Sequence, residues 1–409
     1  MIIEGLLVNS DGQGWGKVEI NPGTGLVERV GNFAGSSDLT LSKEELVFPG
    51  FGDVHVHARE DESGTQTYKE DFLTMSHAAL HGGVTFVADM PNNPTAPVTA
   101  ERYERKKALA ARSLVPVTLY GGVGPDTRPL SYPVPYKVFM GKSVGDLFFE
   151  TLADLEATLA RYAGENVSFH PEDPEILKAH KNAPTHPARR PSEAEVSAID
   201  FALGLIRKYK LQGKLCHIST LTGARRAIRA KSEGLPVTLE ITPHHLYFEA
   251  SKPLQMNPPL RREEDRLGLL AELKSGNLDY LATDHAPHSE EERAQGISGV
   301  PHLDTYGPFV TWLIKEQGFA PERIADVCSL RPGIFVKPYL PPEFGLGFGR
   351  IESGYAGSLT VLNLSKPYRV DEEKLETKCG WSPFEGVVFP GRVSFTVERG
   401  RIYPDGRVS

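Results

Sequence analysis

Cysteine is scarce in this chain. Cys216, Cys328 and Cys379 are the only three in 409 residues, and none belongs to a CxxC pair. An odd, scattered set excludes a disulfide framework or a cysteine-built zinc knuckle and predicts a reducing compartment. Long apolar runs are missing too. No stretch approaches the roughly 18 apolar residues of a spanning helix, and residues 1–5 lack the basic and apolar regions of a secretion signal. A cytoplasmic location with no membrane contact is expected. Positive charge is also short: 45 basic against 53 acidic residues give a net charge of −8. That argues against nucleic acid as a partner and means that an anionic small molecule needs particular local cations. No GxGxxG follows an early apolar run, so the dinucleotide fingerprint is absent.

Two patterns are present. Both ends read as short strands and turns: residues 2–8, 16–20, 358–362 and 393–397, with a Pro-Asp-Gly turn at 404–406. The middle alternates. Eight apolar runs, at 48–57, 83–90, 115–123, 136–140, 166–171, 214–219, 237–245 and 280–287, are separated by helical patterns. In the clearest helix, 193–212, Ser192 and Glu195 have capping-box spacing, Val196, Ile199, Leu203 and Ile206 share a face, and Gly213 follows. Eight strands alternating with helices suggest a parallel (β/α)8 barrel. A doubly wound open sheet gives the same alternation.

The chemistry concentrates at the ends of these runs. His55 and His57 are two apart on one strand, so they face the same side. His170, His217 and Asp284 end three other runs. A single histidine at a strand end is usually structural. Four histidines and an aspartate, all at strand C-termini, sit where barrels keep their chemistry, and imidazole with carboxylate suits zinc. Lys137 lies in the apolar run Tyr136-Lys137-Val138-Phe139-Met140. A free ammonium buried beside metal ions would be costly. Its amine can take up carbon dioxide to give an anionic carbamate that bridges two cations. The alternative is a lysine whose stem lies along the strand while its ammonium reaches water.

In this order, Asp53-Val54-His55-Val56-His57, Lys137, His170, His217 and Asp284 resemble the binuclear sites of the amidohydrolase superfamily. The chain is more closely similar to dihydroorotases. The similarity is carried by His57-Ala58-Arg59-Glu60, Gly82-Gly83-Val84-Thr85 leading to Asp89-Met90-Pro91-Asn92, and Arg190-Pro191-Ser192-Glu193-Ala194-Glu195. Pro243-His244-His245-Leu246, Asn257-Pro258-Pro259-Leu260-Arg261, Asp284-His285-Ala286-Pro287-His288 and Trp381-Ser382-Pro383-Phe384-Glu385-Gly386 extend it over nearly the whole chain. Three segments depart from the family pattern: Asp61-Glu62-Ser63-Gly64 where many relatives have Pro-Gly, Pro171 after His170, and residues 299–305.

The resemblance implies a barrel at 47–345 flanked by a small β-sandwich from residues 1–46 and 346–409. It implies two zinc ions bridged by a carbamylated Lys137 (N6-carboxylysine) and a hydroxide. His55, His57 and Asp284 complete one site, His170 and His217 the other. The implied reaction is reversible cyclisation of carbamoyl-aspartate to dihydroorotate in pyrimidine biosynthesis, with Asp284 as general acid and base. Arg59, Asn92, Asn257 and His288 would bind substrate, and Gly141, Lys142 and Ser143, in the segment that includes Val144, would form a lid. A homo-oligomer, and association with aspartate transcarbamoylase, are further expectations. Two other readings stand beside this one: another cyclic amidase (hydantoinase/dihydropyrimidinase or allantoinase), and a non-catalytic scaffold for a partner enzyme.

Overall fold

The computed structural model describes residues 1–143 and 145–408, so Val144 of the expected lid lies outside the described residues. Among these, eight parallel strands form a barrel. They are Phe51–Val56, Val84–Asp89, a third in two pieces (Val117–Leu119 and Gly121–Val123), Tyr136–Phe139, Asn166–His170, Gln212–Leu215, Val237–Ile241 and Tyr280–Leu281. Each pairs in parallel with the next, the third through its two pieces. A parallel bridge from Val56 to His285, and His57 N–H donating to His285 O at 2.8 Å, join the last strand to the first. Closure leaves no open edge and decides for the barrel over the open sheet.

The termini build the second layer. Five N-terminal strands, from Ile2–Asn9 to Glu45–Pro49, and three C-terminal strands, Leu359–Asn363, Arg392–Glu398 and Arg401–Pro404, join in one hydrogen-bonded sheet. Leu359–Asn363 pairs antiparallel with Glu45–Pro49, which ties the two ends together. Ile3, Val18, Ile20, Val47, Val361 and Val397 form its own apolar cluster. Glu45–Pro49 runs across the expected 46/47 boundary and stays in this sheet to Pro49.

Several sequence expectations shift for physical reasons. The run 48–57 is two strands, divided at Gly50, whose N–H donates to Ser358 O at 2.7 Å as the chain passes from sheet to barrel. Runs 214–219, 237–245 and 280–287 overrun their strands. His217 (φ 37°) and Asp284 (φ 50°) turn the backbone out of extended geometry, and Pro243 opens a short helix capped by Thr242. The apolar tails are therefore buried loops after 215 and 281 and a buried short helix after 241. The expected helix 193–212 is Ser192–Tyr209, and Ser192 lies inside it. Glu195 is turned inward and accepts from the N–H groups of Ser219 and Thr220, so it caps no helix of its own. Lys210 (φ 53°) ends the helix, while Gly213 belongs to the next strand.

Inside the barrel, Phe86, Tyr120 and Tyr280 pack with Phe335 of the helix Arg331–Val336 and with Phe344 and Phe348 of the segment that follows it. Phe86 stacks on Phe348 with centroids 4.3 Å apart. Gly52 is required here, because a Cβ at that position would overlap the Phe86 ring. Gly52→Ala should therefore cost about 1–3 kcal/mol, typical of overpacking, measured as a lower urea midpoint at unchanged m-value. A wild-type midpoint would mean that the Phe86–Phe348 stack gives way freely.

Candidate active site

The four histidines and Asp284 expected from sequence converge at one end of the barrel. His55 Nε2 and His57 Nε2 each lie 3.1 Å from Asp284 Oδ1. His170 Nδ1 lies 2.8 Å from His217 Nε2. Ligand atoms of His55, His217 and Asp284 fall within 4.8 Å of one another. Lys137 is fully buried, and its Nζ has no hydrogen-bond partner among the described residues. Its charge acts on His55, His170, His217 and Asp284.

The partners of the outer ring nitrogens fix what the inner ones offer. His55 Nδ1 donates to Glu240 Oε1 (2.6 Å), His57 Nδ1 to Asn92 Oδ1 (2.7 Å) and His170 Nε2 to Glu172 Oε2 (2.8 Å). A ring held so, when neutral, keeps its lone pair on the inward nitrogen. His55 Nε2 and His57 Nε2 both face one Asp284 oxygen, an arrangement that calls for positive charge; against its own burial, His55 is raised to about 9 by Glu240 and Asp284. The donor set therefore fits metal ions, and the second nitrogens are held as in metal-ligating histidines. His55, Cys216 and Glu240 also cluster within 4.8 Å. Glu240 is not free to ligate there: Oε1 also accepts from His217 N–H (3.0 Å), and Oε2 pairs with Lys214 Nζ (2.5 Å).

Charges beneath the ligands are balanced. Burial alone would raise the Glu240 carboxyl, but His55 and Lys214 outweigh it and hold it at about 2. Burial likewise opposes Glu172, and Arg190 and His170 bring it to about 2. Asp284, against its own burial, is held well below the carboxylate range by His55 and His57. Sequence reasoning missed Glu240, Glu172 and Lys214 and named Arg190 only within a motif. The clue was available: Lys214 and Glu240, like Lys137, are charges set in apolar runs.

A narrow cleft opens over the ligands, lined in part by Arg59, Ser143, Met256, Asn257, Asp284 and Gly299. Arg59 is 3% exposed, with Nε donating to Pro287 O at 3.2 Å. Asn257 Nδ2 donates to Ser143 Oγ at 3.3 Å, and Asn257 Oδ1 is buried without a partner among the described residues. Asn92 lines the cleft, but its Oδ1 serves His57. His288 does not line the cleft; its Nε2 lies 3.1 Å from Arg59 Nη2. Of the expected lid, Gly141 is packed against Glu172 O, and Lys142 O accepts from Arg190. Only Ser143 of those three reaches the cleft. Arg59, His217 and Asp284 all have positive φ (62°, 37° and 50°), a strained geometry that collects at functional sites.

The departing segments have structural work. Asp61 accepts from Ser63 N–H (3.0 Å) and Thr95 N–H (2.6 Å), closing the turn that a Pro-Gly pair would otherwise make. Gly299 (φ 144°) leaves room for His288: a Cβ there would lie 2.8 Å from its ring and 2.6 Å from Ala286 O. Asp304 pairs with His81 at 2.8 Å and accepts from Glu376 and Thr377 N–H, tying the mouth to the C-terminal segment.

Comparison with known proteins adds the following. Residues 46–137 match the model of the Amidohydrolase family. The dihydroorotase of Pyrococcus furiosus is 30% identical over 373 residues, covering 90% of this chain and 84% of that protein. The dihydroorotase of Methanosarcina acetivorans is 33% identical over 407 residues, with 90% and 84% covered. Among solved structures, the L-hydantoinase (dihydropyrimidinase) of Arthrobacter aurescens superposes with a TM-score of 0.89 at 24% identity, covering 100% of this chain and 96% of that one. The dihydropyrimidinase of Brevibacillus agri gives 0.84 at 20% identity, with 99% and 95% covered. The structural likenesses show the shared fold.

Lys214→Met should leave the Glu240 charge buried without its cation. Breaking one side of such a pair costs about 3–5 kcal/mol, read from urea unfolding of metal-stripped protein. The double variant Lys214→Met/Glu240→Gln should recover most of it. Equal losses in the single and double variants would deny the coupling.

Proposed function

This chain belongs to the dihydroorotase family of amidohydrolases, and from that premise we propose that it closes carbamoyl-aspartate to dihydroorotate and reopens the ring, as a step of pyrimidine biosynthesis. It is a cyclic amide hydrolase. The observation that carries the substrate assignment is Arg59: a buried guanidinium facing the same cleft as the ligand cluster, in a chain of net negative charge. A planar fork of donors suits a carboxylate, and dihydroorotate carries one where hydantoin, dihydrouracil and allantoin do not.

His55, His57, Asp284 and a carbamate on Lys137 would hold one zinc ion; the same carbamate with His170 and His217 would hold the other. Bound there, two zinc ions would acidify a water and polarise the amide carbonyl. The carbamate forms when the Lys137 amine adds to the carbon of carbon dioxide and loses a proton. An unpartnered, fully buried Nζ supports that assignment. In ring opening, Asp284 takes the proton of the attacking water and delivers it to the leaving ring nitrogen; in ring closure it runs the transfer backwards. Arg59 pairs with the substrate carboxylate. Asn257 Oδ1 accepts a ring N–H, and Ser143 stands beside it on the segment that would close over the bound ring. Asn92 acts on substrate through His57, whose ring it holds.

No helix among the described residues is long and apolar enough to cross a membrane. Assembly into a homo-oligomer, and association with aspartate transcarbamoylase, rest on the family likeness alone.

Lys137→Ala should lose at least one zinc per chain by elemental analysis and nearly all turnover, with partial rescue by short carboxylic acids. Full metal content and normal turnover would refute the carbamate. Arg59→Met should keep its metal while kcat/KM for dihydroorotate falls by roughly two to four decades, as for one lost partner of a buried charge pair. A fall of the same size on dihydrouracil would mark Arg59 as structural and undo the carboxylate assignment.

A further inference from the structure

Behind Arg59 lies a second set of charges that the proposed chemistry does not use. His288 is 1% exposed, with Nε2 3.1 Å from Arg59 Nη2. Its Nδ1 faces two groups, Glu292 Oε2 at 3.0 Å and Lys69 Nζ at 3.3 Å. Lys69 is 2% exposed and pairs with Glu292 Oε1 at 2.8 Å, where Tyr68 Oη also donates at 2.7 Å. Trp381 Nε1 donates to His288 O at 2.7 Å and pins its backbone.

One neutral tautomer of His288 satisfies Arg59 and Glu292 together, with the Lys69 ammonium bound to Glu292 Oε1 at 2.8 Å rather than to the more distant Nδ1. Arginine only donates, so His288 Nε2 must present its lone pair to Arg59. A neutral imidazole then carries its proton on Nδ1. That proton goes to Glu292 Oε2, and the Lys69 ammonium goes to the other oxygen. Burial, with Arg59 and Lys69 alongside, pushes His288 down to about 3, in keeping with the neutral ring.

We infer that Glu292 is a positioning residue for carboxylate recognition: by accepting the His288 Nδ1 proton it makes His288 Nε2 an acceptor, and His288 with Pro287 O aims the Arg59 guanidinium at the cleft. Lys69 balances the carboxylate that does this. The inference rests on the dihydroorotase reading only for the name of the anion; the imidazole state stands apart from it.

Glu292 also has a purely local role. It is the third residue of the helix Glu290–Ala294 and closes a capping box with Ser289. Oε2 serves both roles, accepting from Ser289 N–H at 3.1 Å as well as from His288 Nδ1. Glutamine also occurs at this capping position, and the imidazole protonation, which a cap does not set, is what separates the two in Glu292→Gln. The substitution replaces one carboxylate oxygen with an NH2 donor, which must face either Lys69 or His288. In the first case it meets an ammonium. In the second the ring proton is driven to Nε2, against Arg59, and the Ser289 N–H bond is lost with it.

The experiment pairs steady-state kinetics with imidazole ¹⁵N spectra of zinc-replete protein, His288 being assigned by its absence in His288→Gln. Wild type should show the Nδ1–H neutral ring. Glu292→Gln should lose that pattern and raise KM for dihydroorotate by about tenfold or more, the scale of a charge-assisted hydrogen bond, while kcat changes far less. A wild-type ring that is charged or protonated on Nε2 overturns the inference. So does a Glu292→Gln protein with wild-type KM, or one whose kcat and KM fall together with the spectrum unmoved, as a damaged cap would give. If wild type ignores dihydroorotate and opens a neutral ring, the substrate reading fails instead, and the nitrogen spectra still judge Glu292.

Discussion

The mouth of this barrel is organised around a carboxylate that has no contact with water. Glu240 is 0% exposed and accepts from Lys214 Nζ, His55 Nδ1 and His217 N–H. Each bond has a separate consequence. Lys214 keeps the charge tolerable in the interior, where an unpaired carboxylate would shift or destabilise the fold. His55 is held by Nδ1, which leaves its Nε2 facing Asp284 Oδ1 at 3.1 Å. His217 has its strained backbone tied down just where the strand ends. Lys214 in turn lies over Tyr120, Tyr280 and Phe335, at 5.5, 5.8 and 5.3 Å from the ring centroids, so the aromatic cluster inside the barrel supports the ligands through one ion pair.

The same device recurs around the ring of strands. Asp53 is buried, accepts from Thr283 Oγ1 (2.5 Å) and from the N–H groups of His55 and Thr283, and so joins the first strand end to the loop that carries Asp284. Burial raises its carboxyl to about 7, with the Thr283 and His55 bonds opposing. Glu172 holds His170 and is itself held by Arg190, whose Nη2 also reaches Lys142 O. Glu195 holds Ser219 and Thr220 after His217. Buried carboxylates from separate elements thus fix loops that no ladder of hydrogen bonds continues into. This permits ligands on irregular, positive-φ backbone to keep their geometry.

Much of the site was legible because its signals are local. The two-residue spacing of His55 and His57 follows from the pleat, and a histidine or aspartate ending an apolar run marks a strand C-terminus. Lys137 stood out because an ammonium does not belong in an apolar run. The parts that were not legible are non-local. Glu195 has the spacing of a capping box, yet its partners lie 24 and 25 residues away. The strand ends of 237–245 and 280–287 were misjudged because their tails are as buried as the strands. The contact of His288 with Arg59 joins residues 229 apart, which no local pattern announces. The β character of both ends was readable, but their joining into one sheet through Glu45–Pro49 depends on pairing across some 310 residues.

The assignment of chemistry comes down to which ring the cleft accepts, since the ligand cluster by itself suits many cyclic amides. The direct test is hydrolysis by zinc-replete wild-type protein of dihydroorotate beside hydantoin, dihydrouracil and allantoin under one set of conditions. With Arg59 buried at the cleft, dihydroorotate should exceed each neutral ring in kcat/KM by at least about a hundredfold, because a site built for a charged group leaves that group unpaired when the substrate lacks its partner. A preference for any of the neutral rings would contradict the dihydroorotase assignment.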